Sequence, residues 1–301
     1  MWWFSVALAV SAQPGTADTS CTARIADARA AYERQAYTEA RAEFTAAVTV
    51  CGATPPLLLA LAQAELLSRD VEAALATLGQ LEALGPLSVA ALKVRARALY
   101  LVANDRDAEL TLLSAAARAP DDAELAYDLG RIYYQQQRHQ DAHRAFERAT
   151  TLDPRSYKAW DNLGLACEAL GDEAAAVRHY ATAMAIAQTD APAYDVVYAN
   201  YADLLLRQGE FQRAFDAAAE AAQRNPRDPR NLLLAGKALL KLEATDAGVK
   251  WLTQAVTLDP DYPEPHYLLA RAYRVLGRPD DARRAMEAFQ TATARAPQVR
   301  R

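Results

Sequence analysis

From Trp160 to Tyr180 the chain reads WDNLGLACEALGDEAAAVRHY, with landmarks at Trp160, Leu163, Gly164 and Cys167, then Ala176 and Tyr180. Small and large apolar residues three and four apart mark one face of a helix. The stretch before it has the same order of landmarks: Leu129, Gly130 and Tyr133, then Ala142 and Phe146, closed by Pro154. Self-similarity at a fixed step of this size is the mark of a repeat architecture.

Placing Trp160 at the fourth position of a repeat gives eight repeats, starting at Cys21, Pro55, Val89, Ala123, Tyr157, Asp195, Pro229 and Pro263. Every step is 34 residues except one of 38 between repeats five and six, around Thr189–Tyr194. The eighth position is then Ala or Gly throughout, from Ala28 to Ala270, and so is the twentieth, from Ala40 to Ala282. The thirty-second position holds Pro86, Pro120, Pro154, Pro226 and Pro260. Two antiparallel helices approach closely only where small side chains sit at their crossing. Proline ends the second helix and starts the turn to the next repeat.

The pattern resembles the tetratricopeptide repeat, W-x-x-L-G-x-x-Y…A-x-x-x-F…P with a period of 34 residues, with Cys167 in place of the tyrosine. The resemblance covers residues 21–296 and implies an all-α, right-handed superhelical solenoid of about eight antiparallel helix pairs. Composition agrees: alanine and leucine dominate the 52% of hydrophobic residues, and both favour helix. Arg24 and His266 depart from the large apolar residue of the fourth position, as end repeats facing solvent would.

Outside the repeats lie residues 1–12, a linker at 13–20 and a tail at 297–301. The run from Trp2 to Val10, closed by Ser11 and Ala12, reads as a secretory signal, although no Lys or Arg precedes it. It is too short to span a bilayer, which takes about 20 apolar residues. The chain is therefore expected to be periplasmic or secreted, with no membrane-spanning segment once the signal is removed; the alternative is a cytoplasmic protein with a sticky N-terminal extension. Cys21 opens the first helix of repeat one and Cys51 closes the second, so a disulfide between them is geometrically reasonable and agrees with export. Two unrelated thiols are the alternative.

The repeats leave no segment for a catalytic domain, and the motifs of nucleotide hydrolases, serine hydrolases and zinc peptidases are missing. His139 and His143 share a helical face, but no third metal ligand is identifiable and Gln140 cannot act as a base. His179 and His266 read as surface or packing residues, and Cys167 as a small buried apolar one. No catalytic residue, metal or cofactor is implied. A net charge of −5 gives no reason to expect nucleic acid.

In the family resembled, the first helix of each pair lines the concave face, through positions 2, 5, 9, 12 and 13. Here those positions carry eleven basic and six acidic residues, about +5 against −5 for the whole chain. The densest cluster is Lys93, Arg97 and Tyr100 with Tyr127, Arg131 and Tyr134; a second is Arg230, Lys237 and Lys241 with Arg271 and Arg274. A groove opposite in sign to its surroundings is expected to bind a protein or peptide partner with an acidic, extended segment. The clamp that some members use for chaperone C-termini needs Asn where Arg97 and Asp128 stand, so chaperone binding is not implied. The alternative function is a structural component of a cell-envelope assembly, acting through the convex face or the stack ends.

Overall fold

The computed structural model describes residues 19–295, and every regular element among them is a helix. Residues 1–12, most of the linker and the 297–301 tail lie outside the described residues. The chain forms two compact units that meet in sequence at Leu152 and Asp153. The first holds α1 (Thr19–Glu33), α2 (Tyr37–Cys51), α3 (Pro55–Leu67), α4 (Val71–Ala83), α5 (Val89–Leu101), α6 (Asp105–Arg118), α7 (Ala123–Gln135) and α8 (His139–Leu152). The second holds α9 (Tyr157–Ala169), α10 (Glu173–Asp190), α11 (Val196–Gln208), α12 (Phe211–Arg224), α13 (Pro229–Lys241), α14 (Thr245–Leu258), α15 (Pro263–Val275) and α16 (Pro279–Arg295). Each odd-numbered helix pairs with the next, and most of these first helices start 34 residues apart.

Local chemistry sets the helix starts. The side chains of Asp70, Ser88, Asn104, Asp122, Ser156, Asp172 and Asp228 each accept from a backbone N–H of the turn they open, meeting a donor the helix itself leaves unsatisfied. Pro55, Pro229 and Pro263 stand at first helical positions, where a missing N–H costs nothing.

The small-residue columns close the pairs. Ala28, Ala62, Ala202 and Ala270, like Ala40, Ala74, Ala142 and Ala214, are fully buried. At Gly130 an added Cβ would lie 2.6 Å from the Phe146 ring, and at Gly164 2.6 Å from the Tyr180 ring. Phe146 and Tyr180 are themselves wholly buried. Each ring therefore fills the space that its glycine leaves.

The carbonyls of the proline column are also used. Trp160 Nε1 donates to the Pro154 carbonyl at 3.0 Å, and His266 Nε2 lies 2.9 Å from the Pro260 carbonyl. His266 is thus a buried stand-in for the fourth-position tryptophan and not a solvent-facing departure. Arg24 is exposed and pairs with Glu43 at 2.7 Å. Cys21 and Cys51 are joined across α1 and α2, with Cα atoms 5.3 Å apart. The four extra residues lengthen α10 to 18 residues and place Tyr194 so that its hydroxyl donates to Asp161 at 2.6 Å.

Candidate functional site

In the first unit, α5 and α7 bring Lys93, Arg97, Tyr100, Tyr127, Arg131 and Tyr134 together, because spacings of three and four keep each set on one helical face. Their cations are met inside the fold. Lys93 Nζ lies 2.7 Å from Asp122 Oδ2 and 2.6 Å from Glu124 Oε2. Arg97 Nε donates to Asp128 Oδ2 at 3.0 Å, and Arg97 Nη2 donates to Glu124. Arg97 is 8% exposed and Asp128 5%. Burial pushes the Asp128 carboxyl above its ordinary value in spite of Arg97. For Glu124 burial works the same way, but Arg97 and Lys93 outweigh it and hold the carboxyl below.

Lys93 and Arg97, expected in the groove, are thus both engaged by carboxylates of the same fold. They brace α5 against α7 across the repeat junction, and the carboxylates that hold them come from the cap and first turns of α7. Removing one member of such a buried pair strands the other charge, at a cost of about 3–5 kcal/mol.

The guanidinium of Arg131 lies over the Tyr100 ring, 4.7 Å from its centroid, and 5.9 Å from that of Tyr127. Tyr127 tilts against Phe146 at 5.9 Å and Tyr134 meets His139 edge-on at 5.3 Å. Beside them opens a cleft of about 600 Å³, lined by the apolar Leu66, Leu67, Val71 and Leu101, by Tyr37 and Tyr100, and by the polar Gln35, Arg69, Arg97 and Arg131. Leu66, Leu67, Tyr100 and Leu101 stand at positions 12 and 13 of repeats two and three, which the family pattern already places on the first-helix face; a search for charge passes over the three leucines.

The second unit arranges its cations differently. Arg230 Nη2 donates to Asn200 Oδ1 at 3.0 Å, and Lys237 pairs with Glu264 at 2.9 Å. Lys241, Arg271 and Arg274 are exposed and, among the described residues, have no carboxylate at ion-pair distance. The Lys241 ammonium is 5.9 Å from the Phe211 ring centroid and the Arg271 guanidinium 5.9 Å from that of Tyr267. Beneath this face a buried polar chain links successive first helices. Asn200 Nδ2 donates to Asp161 Oδ1 at 3.0 Å, and Asn231 Nδ2 to Asp195 Oδ2 at 2.7 Å. Burial pushes the Asp161 carboxyl up to about 6, against the hydrogen bonds from Tyr194 and Asn200 and the charge of Arg230.

Paired helices closed by small-residue columns, with ligand-sized relief on the first-helix face, define a helical repeat protein. Family models described as tetratricopeptide repeat match residues 104–142, 127–192 and 201–263, and a second one matches 243–301. The chain belongs to the tetratricopeptide repeat family. No curated protein matches the sequence. Among solved structures, a tetratricopeptide repeat protein from Parabacteroides merdae is similar with TM-score 0.64 at 15% identity, covering 91% of this chain and 99% of that one. Pseudomonas aeruginosa PilF is similar with TM-score 0.62 at 22% identity, covering 72% and 97%. PilW, described as a widely conserved type IV pilus biogenesis factor, gives TM-score 0.61 at 15% identity, covering 69% and 95%. At these identities the likeness is one of fold.

Proposed function

We propose that this chain is a non-catalytic interaction module that holds an extended, acidic segment of a partner protein against its first-helix faces, in the periplasm or outside the cell. The observation that carries the reading is the set Lys241, Arg271 and Arg274, exposed on consecutive first helices and met by no carboxylate among the described residues. Cations in that state set up a field that draws a carboxylate-bearing segment. Family membership supports a protein partner. The Cys21–Cys51 bond and the apolar start at Trp2–Val10 support export, since disulfides persist in oxidising compartments. Among the described residues no helix is long and apolar enough to cross a membrane.

The test is crosslinking in cells from positions beside Arg274, followed by mass spectrometry. Wild type should capture a defined partner, and the triple variant Lys241→Glu, Arg271→Glu, Arg274→Glu should lose it with an unchanged melting temperature. Equal capture by both contradicts the reading. A second reading, a structural part of an envelope assembly, draws on Leu110 and Leu113, which lie three apart on α6 and are 57% and 44% exposed. It calls for self-association in sedimentation that Leu110→Lys abolishes.

A further inference from the structure

Asp161 on α9 is 1% exposed and, among the described residues, has no cation at ion-pair distance. Its carboxylate is met by two neutral donors, the Tyr194 hydroxyl at Oδ2 and the Asn200 amide Nδ2 at Oδ1. The other end of that amide, Asn200 Oδ1, accepts from Arg230 Nη2 at 3.0 Å. An ionised carboxylate can only accept, and a guanidinium can only donate. One orientation of the amide satisfies both. The chain Asp161–Asn200–Arg230 thus crosses the first helices of three successive repeats, α9, α11 and α13.

Its outer end is lightly held. Arg230 is half-buried at the start of α13, and among the described residues no carboxylate stands at ion-pair distance from its guanidinium. A carboxylate could take that guanidinium through two parallel hydrogen bonds, which a single amide oxygen cannot. The groups that face Asp161 are Tyr194 from the connection between α10 and α11, Asn200 from α11 and Arg230 from α13. Other ionisable groups on the same elements are engaged elsewhere. His179 of α10 stacks on Trp160, Asp195 at the start of α11 accepts from Asn231, and Lys158 of α9 lies by the Tyr157 ring.

We propose that this chain is a proton-operated latch on Arg230, closed while Asp161 is ionised and opened when it is protonated. In the closed state Asn200 keeps its oxygen on the guanidinium. A protonated Asp161 carries an O–H that needs an acceptor. The amide turns over to supply its oxygen, its NH2 then faces the cation, and Arg230 is freed for a carboxylate of the partner. Burial pushes the Asp161 carboxyl up to about 6, so the latch works where exposed carboxylates stay ionised. By reciprocity, a segment that draws Arg230 away makes Asp161 easier to protonate, and binding takes up protons. The inference rests on the segment-binding reading above and adds its regulation: the acidic segment is held more tightly in mild acid.

The probe is an aspartate-rich peptide, whose own carboxyls stay ionised above about pH 5. Lowering the pH from about 7.5 to about 5 should tighten its binding to the whole wild-type chain about threefold. Asp161→Asn should remove that rise, and the comparison cancels the histidines, which both chains carry. Arg230→Gln, a change at the surface, should remove it too and serves if Asp161→Asn folds poorly. If wild type binds the peptide equally at both pH values, or if both variants keep the wild-type pH dependence, the latch is wrong and segment binding stands. If wild type binds the peptide at neither pH, both readings fall.

Discussion

At the ninth position of repeats three, four, seven and eight stand Arg97, Arg131, Lys237 and Arg271, all on first helices. On α5 and α7 the arginines are locked, Arg97 between Asp128 and Glu124, Arg131 against Tyr100. On α13 and α15, Lys237 keeps one carboxylate, Glu264, while Arg271 and its neighbour Arg274 stand exposed. The position in the repeat thus decides which face a charge is on. The residues of the next repeat decide whether that charge is available. One region spends its cations on holding repeats together, and the other leaves them for a partner.

The sharpest way to break this contrast is to remove one arginine from each region. Arg97→Ala leaves Asp128 buried without its cation and should cost about 3–5 kcal/mol in urea unfolding. Arg274→Ala should stay within about 0.5 kcal/mol of wild type. Equal effects would erase the distinction.

Reduction of Cys21–Cys51 comes next. The bond closes a 30-residue separation, worth about 3–4 kcal/mol in the chain-entropy account. Coupling in repeat proteins runs between neighbours, so the loss should fall on α1 and α2. Hydrogen exchange should show faster amides there and unchanged ones in α13–α16.

Asp161 sharpens the comparison from the second unit. Its folded carboxyl titrates near 6, above the ordinary 3.8, because burial disfavours the charge. The folded chain therefore binds this proton more tightly than the unfolded one, and the contribution of Asp161 to stability falls as pH rises from about 4 to about 6. The shift corresponds to a loss on the order of 2–3 kcal/mol. Asp161→Asn should flatten that part of the pH–stability curve, while Arg97→Ala should not. The same pH–stability slope in wild type and Asp161→Asn over this interval would contradict the burial argument.

The smallest effect is the dependence on salt. Contacts of an acidic segment with Lys241 and Arg274 are exposed and screened over about 8 Å at physiological ionic strength. Affinity for a glutamate-rich peptide should therefore fall with added salt, whereas the Arg97–Asp128 pair, shielded from solvent, should hold.

Much of the fold was legible in the sequence because packing constrains residue size directly. Gly130 and Gly164 had to be small for Phe146 and Tyr180 to fit, and such columns are visible by inspection. The site was less legible. Lys93 and Arg97 were readable as cations on one face, but their partners lie 27 to 31 residues further on, Asp122 at the end of the same repeat and Glu124 and Asp128 in the next. The signal existed: a cation at position nine with Glu at position two of the next repeat occurs as Arg97–Glu124 and again as Lys237–Glu264. The leucines of the cleft were traceable by position alone, since Leu67 and Leu101 both stand at position 13 of their repeats, but nothing in their chemistry separates them from core leucines. His266 misled for the opposite reason, as a polar residue whose partner is a backbone carbonyl that sequence does not display.

The measurement that bears most directly on the division between bracing and available charge is a double-mutant cycle on Arg97 and Asp128, read by urea unfolding. Arg97→Met and Asp128→Leu should each destabilise strongly, because each strands a buried charge. The double variant should cost less than their sum, with a coupling energy of about 2–3 kcal/mol. Additive losses, or single variants as stable as wild type, would contradict the claim that α5 and α7 consume their charges in holding the repeats together.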